Sequence, residues 1–494
     1  MIQTKYTDAT NYQGLYEALR ELAPTLADVS LSLIPNEIPY NFQPALTNAI
    51  IMADIFESPK KEVNATYATH FLDYKGLVST EYMTNFVPNN AFAAMIHEPV
   101  MDLDFLHFTI VPEHFALDYY EQKDQYYCNF TQYYCNFTMN VSMRIREEII
   151  FQYAKNFPLY FSPEEEEQIL ATGIAFEDSI PVIEGEYKMI VLLQNSVGKE
   201  FTVFERDVLV SQKPNKPQIV GPFLGYKVEE YKSDLHIPFK FLDKKLAVDP
   251  KNTFSFAESI NLFFNIEHVS LDLWNGGSVD IIINPVDGKT SSPKSYKLAI
   301  RNYPHKEILN ITQSIPAREL APAYYEMKLF LRDMSGEIID EKKENFIISP
   351  AATISHPTAH MNAVLIADKY LFYYFLAQQY ERIKNYENAE INIERAYELK
   401  PDNKKGLINY ANFLFMIGKY KRSLELIEKI KEDVSLKFNY YLIKGKAYMG
   451  LGNYSEAIGN LLEGNKIYNS DISLLNSLAI CYYKSNEKKE LWKS

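Results

Sequence analysis

A 34-residue period runs through the C-terminal part of this 494-residue chain. Three columns of equivalent residues keep that spacing: Lys384, Gly418 and Gly452, then Tyr386, Tyr420 and Tyr454, then Ala389, Ser423 and Ala457. Periods of about 20–50 residues are typical of chains that stack one small structural unit repeatedly. The period therefore favours a stack of similar units over a plain helical bundle.

Each 34-residue block has the pattern of a helical hairpin. Leu376, Ala377 and Tyr380 would share one face of a first helix, and the small Ala389 would let a second helix pack closely against it. Pro401 then ends the unit, because proline cannot continue a helix. A fourth unit opens at Leu474, but the sequence stops before its second helix is complete. We therefore predict a helical array over 367–494, with three repeats and a truncated fourth.

The first and third blocks match this pattern best, and the third carries it in Gly445, Tyr448, Gly452, Tyr454 and Ala457. These residues resemble the tetratricopeptide repeat (TPR). The resemblance implies an α-α solenoid whose first helices line a groove for a protein or peptide. Carried over position by position, the candidate groove residues are Tyr374, Gln378, Lys405, Asn412, Phe415, Lys446 and Met449, together with Leu371, Glu381, Ile408, Asn439 and Leu442.

Three of these groove residues suggest a more specific ligand. Lys405, Asn412 and Lys446 would clamp the carboxylate of a peptide tail by charge-assisted hydrogen bonds. Two alternatives stay open at this point. The groove is either a merely solvated face or one covered by the rest of the same chain.

The residues before the repeats are rich in short runs of alternating or apolar residues, which is typical of β-strands. We predict two β-sandwich domains of immunoglobulin-like plan over 51–212 and 217–350, after an N-terminal helical or irregular lead-in over 1–50 and before a linker over 351–366. The two domains share a pattern at one constant offset in residue number, with Tyr187, Met189, Leu193, Asn195 and Gly198 matching Tyr325, Met327, Leu331, Asp333 and Gly336. Each set would form a closing hairpin.

This β-rich part resembles the C-terminal part of bacterial GWxTD-domain proteins, which carry β-sandwich modules and often TPR arrays. Similar features are ELAPTLADVSLSLIPNE at 21–37 and the hairpins GEYKMIVLLQN and YYEMKLFLRDMSGE. The Gly-Trp-x-Thr-Asp signature is absent, since the only tryptophans are Trp274 and Trp492. The resemblance therefore implies an architecture rather than an activity.

The net charge of −14 disfavours nucleic acid as a partner, because nucleic-acid binders need a basic surface. The sequence has no apolar run long enough to span a bilayer and no signal peptide after Met1. We therefore expect a cytoplasmic protein, or an exported one if the true N-terminus lies upstream. The oligomeric state is left open.

Residues that could perform chemistry are scattered, and we predict no catalytic, cofactor or metal site. His356 and His360 have the i, i+4 spacing of metal ligands on a helix, but Pro357 makes His356 a boundary or cap residue. The acidic run at 162–167 has the pattern of a capping box on Ser162. Cys128 and Cys135 fall in a tandem repeat of QYYCNFT and are expected to be free thiols.

These patterns together predict a non-catalytic interaction or scaffold protein that docks a partner or peptide on its TPR groove. The alternative is an envelope-associated or secreted structural protein whose β-sandwich modules bind a surface partner or a glycan.

Overall fold

The computed structural model describes residues 85–98, 101–123, 129–146, 148–210, 216–288 and 292–485. These residues fall into two compact units, a β unit over 85–368 and a helical unit over 369–485. The predicted lead-in over 1–50, the first part of the predicted domain 51–212, and Cys128 all lie outside the described residues. Cys135 is a free and fully buried thiol, and burial, reinforced by Glu200, raises its pKa to about 12.

Among the described residues, the first half of the β unit contains eight strands and one helix, and the second half contains fourteen short or medium strands and one short helix. In chain order the first set is β1 (Asn89–Glu98), β2 (Leu103–Pro112), β3 (Asp118–Lys123), β4 (Asn129–Ile145), β5 (Glu148–Phe161), α1 (Pro163–Thr172), β6 (Ile174–Pro181), β7 (Gly185–Asn195) and β8 (Phe201–Val210). The second set is β9 (Gln218–Gly225), β10 (Lys227–Glu230), β11 (Leu235–His236), β12 (Lys240–Phe241), β13 (Lys244–Ala247), β14 (Thr253–Ser255), β15 (Ser259–Glu267), α2 (Leu271–Gly276), β16 (Ser278–Pro285), β17 (Lys294–Ala299), β18 (Leu309–Pro316), β19 (Ala323–Arg332), β20 (Ile338–Ser349), β21 (Thr358–Met361) and β22 (Val364–Leu365).

Two sheets organise the first half of the β unit. One has the order β1-β2-β6-β21, and the other runs β3-β4-β7-β8 with β5 also paired to β4. The helix α1 begins with the predicted capping box: the Ser162 hydroxyl accepts from the Glu165 backbone N–H, and the Glu165 carboxylate accepts from the Ser162 N–H. Its acidic first turn therefore has a structural explanation.

Two further sheets, β14-β20-β19-β16-β17 and β18-β15-β9, share one hydrophobic core in the second half. Every second residue of β16 is fully buried there, as the alternating sequence predicted for Val279, Ile281 and Ile283. The same holds on β19 for Tyr325, Met327, Leu329 and Leu331. The smaller sheets β10-β13-β12 and β11-β22 complete the unit.

The two hairpins that match at a constant offset also share their hydrogen bonds. The Tyr187 hydroxyl lies 3.0 Å from the carbonyl oxygen of Ile183 and 2.7 Å from that of Glu184, and the Tyr325 hydroxyl donates to the carbonyl of Ala321 at 2.8 Å. Both tyrosines thus reach the carbonyl four residues back. This is the kind of contact made by the tyrosine corner of immunoglobulin-type domains. The immunoglobulin-like topology itself stays a prediction.

The turns of these hairpins match as well. The Asn195 side chain accepts from the backbone N–H of Val197, and the Asp333 side chain accepts from that of Ser335, two residues on in both turns. Such side-chain-to-backbone bonds are a standard way for Asn and Asp to fix a turn. Corresponding hydrogen bonds at equivalent positions of the two hairpins support an internal duplication of this segment.

The segment 351–366, predicted as a linker, is packed into the β unit. Its strand β21 pairs in parallel with β6, and β22 pairs with β11. The His356 ring stacks on Tyr226 with centroids 3.6 Å apart, and its two nitrogens lie 3.1 Å from Asp249 Oδ2 and 3.0 Å from Glu258 Oε1. His356 thus bridges the carboxylates of Asp249 and Glu258, an arrangement that we call the His356 clasp, and it does not cap a helix.

This clasp predicts a pH-dependent contribution to stability. Burial lowers the pKa of His356, but its hydrogen bonds and charge contacts with Asp249 and Glu258 outweigh burial, so the net pKa is raised. A raised folded-state pKa gives stability that is present below the unfolded value of about 6.5 and is lost as pH rises through the folded pKa. His356→Gln should therefore destabilise the chain more at about pH 6 than at about pH 8.5, measured by urea unfolding. The exposed control His114→Gln should show no such difference, and a His356→Gln effect independent of pH would contradict the clasp.

The helical unit, over the residues that the structure describes, consists of three hairpins and a further helix. They are α3 (Tyr370–Arg382) with α4 (Tyr386–Leu399), α5 (Lys404–Met416) with α6 (Tyr420–Ile427), α7 (Lys437–Gly450) with α8 (Tyr454–Ile467), and α9 (Ile472–Lys484). Short 3-10 turns lie in the helical unit at Glu428–Ile430 and Val434–Leu436, and in the β unit at Ile300–Asn302, Ala317–Glu319 and Ile366–Asp368.

The columns of the repeat period have direct structural roles in these hairpins. Lys384, Gly418 and Gly452 occupy the turns with φ values of 63°, 81° and 80°, a region that favours glycine. Ala389, Ser423 and Ala457 are completely buried where the paired helices meet. The Ser423 hydroxyl donates to the Ala411 carbonyl at 2.7 Å, which explains how a polar residue fits this column.

Candidate peptide-binding surface on the helical unit

The first helices of the three hairpins, α3, α5 and α7, carry all seven candidate groove residues. Gln378, Asn412 and Lys446 hold equivalent positions in successive repeats and form what we call the polar row. Gln378 and Asn412 are exposed, and Lys446 is half-buried. This row is therefore open to a ligand on at least two of the three helices.

Tyr374 belongs to the packing between repeats rather than to the open surface. Its side chain is 8% exposed, and a Cβ added to Gly406 would lie only 1.9 Å from its hydroxyl oxygen. Burial is the main cause that raises the Tyr374 pKa to about 12. The equivalent residues Ile408 and Leu442 are buried too. Sequence reasoning placed this row in the groove because it follows the same helical spacing.

Lys446 lies beside the aromatic side of the groove. Its Nζ is 6.0 Å from the centroid of the Phe415 ring, a cation–π arrangement, and Met449 is half-buried one turn further along α7. Burial lowers the pKa of Lys446, and the charge of Asp471 partly opposes this. Among the residues that the structure describes, Lys446 makes no hydrogen bond or ion pair.

Several other cations of the helical unit form ion pairs with near neighbours. Lys419 lies 2.5 Å from Glu390, Lys444 lies 2.5 Å from Glu428, and Arg422 pairs with Glu394. Lys419 and Arg422 lie at or on the second helix α6, whereas Lys444 lies on the first helix α7, as Lys446 does. Lys446 differs from these three cations, because it is partly desolvated and makes no hydrogen bond or ion pair with a described residue, which leaves its ammonium group available to an anion.

The predicted three-residue clamp is too long to hold one carboxylate. Lys405 and Asn412 are on the same helix, so a rise of about 1.5 Å per residue separates their Cα atoms by about 10 Å along the axis. Lys405 is exposed in the first turn of α5, beside Lys404, which pairs with Asp433. Asn412 and Lys446 remain as equivalent groups on neighbouring repeats, while Lys405 would contact a separate part of a ligand.

The structure also brings together a serine, a histidine and a glutamate in the β unit, which the sequence did not reveal. Ser179 Oγ is 2.8 Å from His236 Nε2, and His236 Nδ1 is 4.0 Å from Glu98 Oε2. Burial is the main cause that lowers the His236 pKa to about 4. Because Ser179, His236 and Glu98 are all buried, solvent does not reach the serine hydroxyl freely. We interpret the cluster as a buried polar network.

The described residues contain neither a metal-binding cluster nor a membrane-spanning helix. Within them, no group of three or more His, Cys, Asp or Glu side chains is placed to hold a metal ion. His356 and His360 stand on extended chain rather than on one helix face. No helix among the described residues has the length and apolar character to cross a membrane.

Comparison with known proteins gives one family match, within the helical unit. Residues 383–464 match the family model described as "Anaphase-promoting complex, cyclosome, subunit 3", which is TPR-like. No curated protein matches the chain significantly. The C-terminal region is therefore similar to TPR proteins, as the sequence pattern predicted.

Solved structures give only weak similarities. MamA from Desulfovibrio magneticus RS-1, residues 41 to the end, is 16% identical with a TM-score of 0.24, covering 25% of this chain and 70% of that chain. MamA AMB-1 is 21% identical with a TM-score of 0.23, covering 26% and 76%. Bacteroides uniformis beta-glucuronidase 2 is 9% identical with a TM-score of 0.18, covering 49% and 26%. Similarities at this level carry no argument about function, and the GWxTD resemblance stays a prediction.

Proposed function

We propose that this chain is a protein-interaction module that binds a peptide segment of a partner protein along α3, α5 and α7. The observation that carries the proposal is Lys446, which is half-buried, lies next to Phe415 and within the influence of the Asp471 charge, and forms no hydrogen bond or ion pair among the described residues. The TPR-like family match over residues 383–464 supports a protein-binding role. The proposed role is binding, without a catalytic step.

The surroundings of Lys446 favour a particular ligand chemistry. A carboxylate placed at the ammonium group would form a charge-assisted hydrogen bond, and the exposed amide of Asn412 would orient the peptide. Half-buried Phe415 and Met449 offer an apolar contact for a neighbouring ligand side chain. We therefore expect a peptide with an acidic side chain or a C-terminal carboxylate next to an apolar residue.

Replacing Lys446 tests this proposal without removing its apolar stem. Lys446→Met keeps a contact with Phe415 but deletes the charge, so it should weaken partner binding about 10- to 100-fold, as expected for losing a hydrogen bond to a charged group. Partners captured by the full chain from an extract of the source cells would be identified by mass spectrometry, purified, and titrated calorimetrically against both proteins.

The matched control is Lys421→Met, which removes an exposed lysine from the second helix α6. It should leave the affinity unchanged, while thermal melts followed by circular dichroism should show both variants folded. Equal affinities of Lys446→Met and the wild type would reject this surface as the binding site. A partner that binds independently of Lys446 would have to use another part of the chain.

A further inference from the structure

The strand β1 is an edge strand whose outer side is only partly covered. The Glu113 N–H donates to the Pro88 carbonyl at 2.9 Å, so even-numbered positions of this strand pair with β2. The main-chain groups of odd-numbered residues therefore point away from β2, since both groups of a residue in an antiparallel strand face the same side. Unpaired edges of this kind can accept a further strand.

β8 covers the beginning of this edge and then separates from it. The Val87 backbone N–H donates to the Phe201 carbonyl at 2.8 Å, and the side-chain amide of Asn89 donates to the Val203 carbonyl at 2.7 Å. Further along, the Arg206 guanidinium is the one group of the described residues that reaches across, donating to the Ala93 carbonyl at 2.7 Å. Beyond that bridge, no described residue pairs with the main-chain N–H or carbonyl of Met95.

A cleft of about 440 Å³ opens at this point, bounded by β1, β8 and β9. Its volume is within the range of about 300–1,000 Å³ that is usual for ligand sites. Its apolar row consists of the half-buried Phe92 and Val220, which pack over the buried Ile96 and Phe223, and Leu209 stands at its edge with 65% of its surface exposed. An extended chain added to β1 would place alternate side chains against this apolar row.

The charged groups that line the cleft are of both signs, and each makes a polar contact within the protein. His97 Nδ1 is 2.9 Å from Asp104, Gln218 donates to Glu267 at 2.8 Å, and Lys342 lies 3.6 Å from Asp340. Glu344 accepts from Asn252 at 3.3 Å. A strongly charged ligand would therefore gain little from these groups, whereas an uncharged peptide main chain would find an open strand edge.

We propose that this cleft binds an extended, uncharged peptide segment of a partner protein, which adds to the free edge of β1 by hydrogen bonds to the main chain of Met95. The site is independent of the surface on the helical unit. Its main-chain bonds supply affinity, and the apolar row supplies a preference for alternating apolar side chains, as in other cases of strand addition.

The probe is a fluorescein-labelled acetyl-Val-Thr-Val-Thr-amide, titrated into the full chain and followed by fluorescence anisotropy. We expect saturable binding with a dissociation constant of about 1 mM or lower. Met95→Pro should weaken it at least about 10-fold, because proline lacks the N–H and is tolerated at sheet edges. Met95→Ala, which keeps the N–H, should bind within about 3-fold of the wild type.

Two further comparisons make the result specific. Methylating the two amide nitrogens of the peptide that face β1 should abolish binding, whereas methylating the two on the other side should not, and Lys446→Met should leave peptide binding unchanged. Because recognition rests on the main chain, no saturable binding up to about 5 mM would overturn the proposal. So would binding that is insensitive to Met95→Pro, provided that Trp274 fluorescence shows the variant to be folded.

Discussion

Lys245→Ala should destabilise the β unit by about 3–5 kcal/mol, the usual cost of leaving a buried charge without its partner. Lys245 Nζ lies 2.5 Å from Glu177 Oε2, and the two side chains are 5% and 2% exposed. The same ammonium group lies 5.2 Å from the centroid of the Phe239 ring. An alanine at this position offers no charge, so the Glu177 carboxylate would stay buried without its ionic partner.

The expected loss depends on pH in a defined direction. Burial raises the pKa of Glu177, and Lys245 opposes that shift. Without Lys245 the pKa of Glu177 in the folded state would rise further above its unfolded value of about 4.3. Between these two pKa values the folded protein would bind a proton that the unfolded chain does not, so lowering the pH would stabilise the variant. The difference in free energy of unfolding between the wild type and Lys245→Ala should therefore be smaller at low pH and reach its full size at neutral pH.

Urea unfolding followed by Trp274 fluorescence measures this difference, in a Trp492→Phe background that leaves one reporter. Trp274 is a suitable probe because it packs against the core of the β unit and donates to the Tyr303 carbonyl at 2.8 Å. The double variant Glu177→Leu with Lys245→Met is the control and should recover most of the stability, because it removes both charges. If Lys245→Ala lowered the free energy of unfolding by less than about 1 kcal/mol, the Lys245–Glu177 pair would not be buried as described.

Ala389→Trp should unfold the helical unit or destabilise it by about 3 kcal/mol or more, at the upper end of overpacking costs. Ala389 is completely buried at the contact between α3 and α4. Its equivalents in the next two hairpins, Ser423 and Ala457, are also completely buried. An indole group at this position would force the two helices apart. Because stacked repeats stabilise one another, the disturbance should spread beyond the first hairpin.

Circular dichroism at the helical band during thermal unfolding checks this prediction. Glu387→Trp is the matched control, since it adds the same side chain at an exposed position of the same helix. It should leave the helical transition nearly unchanged. An Ala389→Trp protein that melted like the control would show that the hairpin register is wrong.

The helical hairpins could be predicted because their determinants are local and repeated. A glycine-rich turn column, a tyrosine two residues on, and a small residue three further on fix the same turn and the same close contact in each block. The surface itself was only partly predictable. The spacing that places Gln378 and Asn412 in the open also selects Tyr374, which the structure buries against Gly406. Helical periodicity gives a direction around one helix, but not the position of the next helix.

The β unit shows the same division. Alternation along the chain identified buried positions such as Ile281 and Met327, and the constant offset between Tyr187 and Tyr325 identified two hairpins with equal tyrosine and turn hydrogen bonds. The alternation did not identify the partners of distant segments. The predicted linker pairs with β6 and β11, although it follows both of them at a long distance in the chain.

The sequence by itself determined the repeat architecture, the strand-rich character of the β unit, and the capping box at Ser162, because these depend on residues close together in the chain. Only the tertiary structure decided that Lys446 stands unpaired beside Phe415 among the described residues, that Glu177 meets Lys245, and that the edge of β1 stays open at Met95. These features arise from the register and packing of distant segments. Local propensity constrains that packing only weakly, because many pairings bury the same apolar residues.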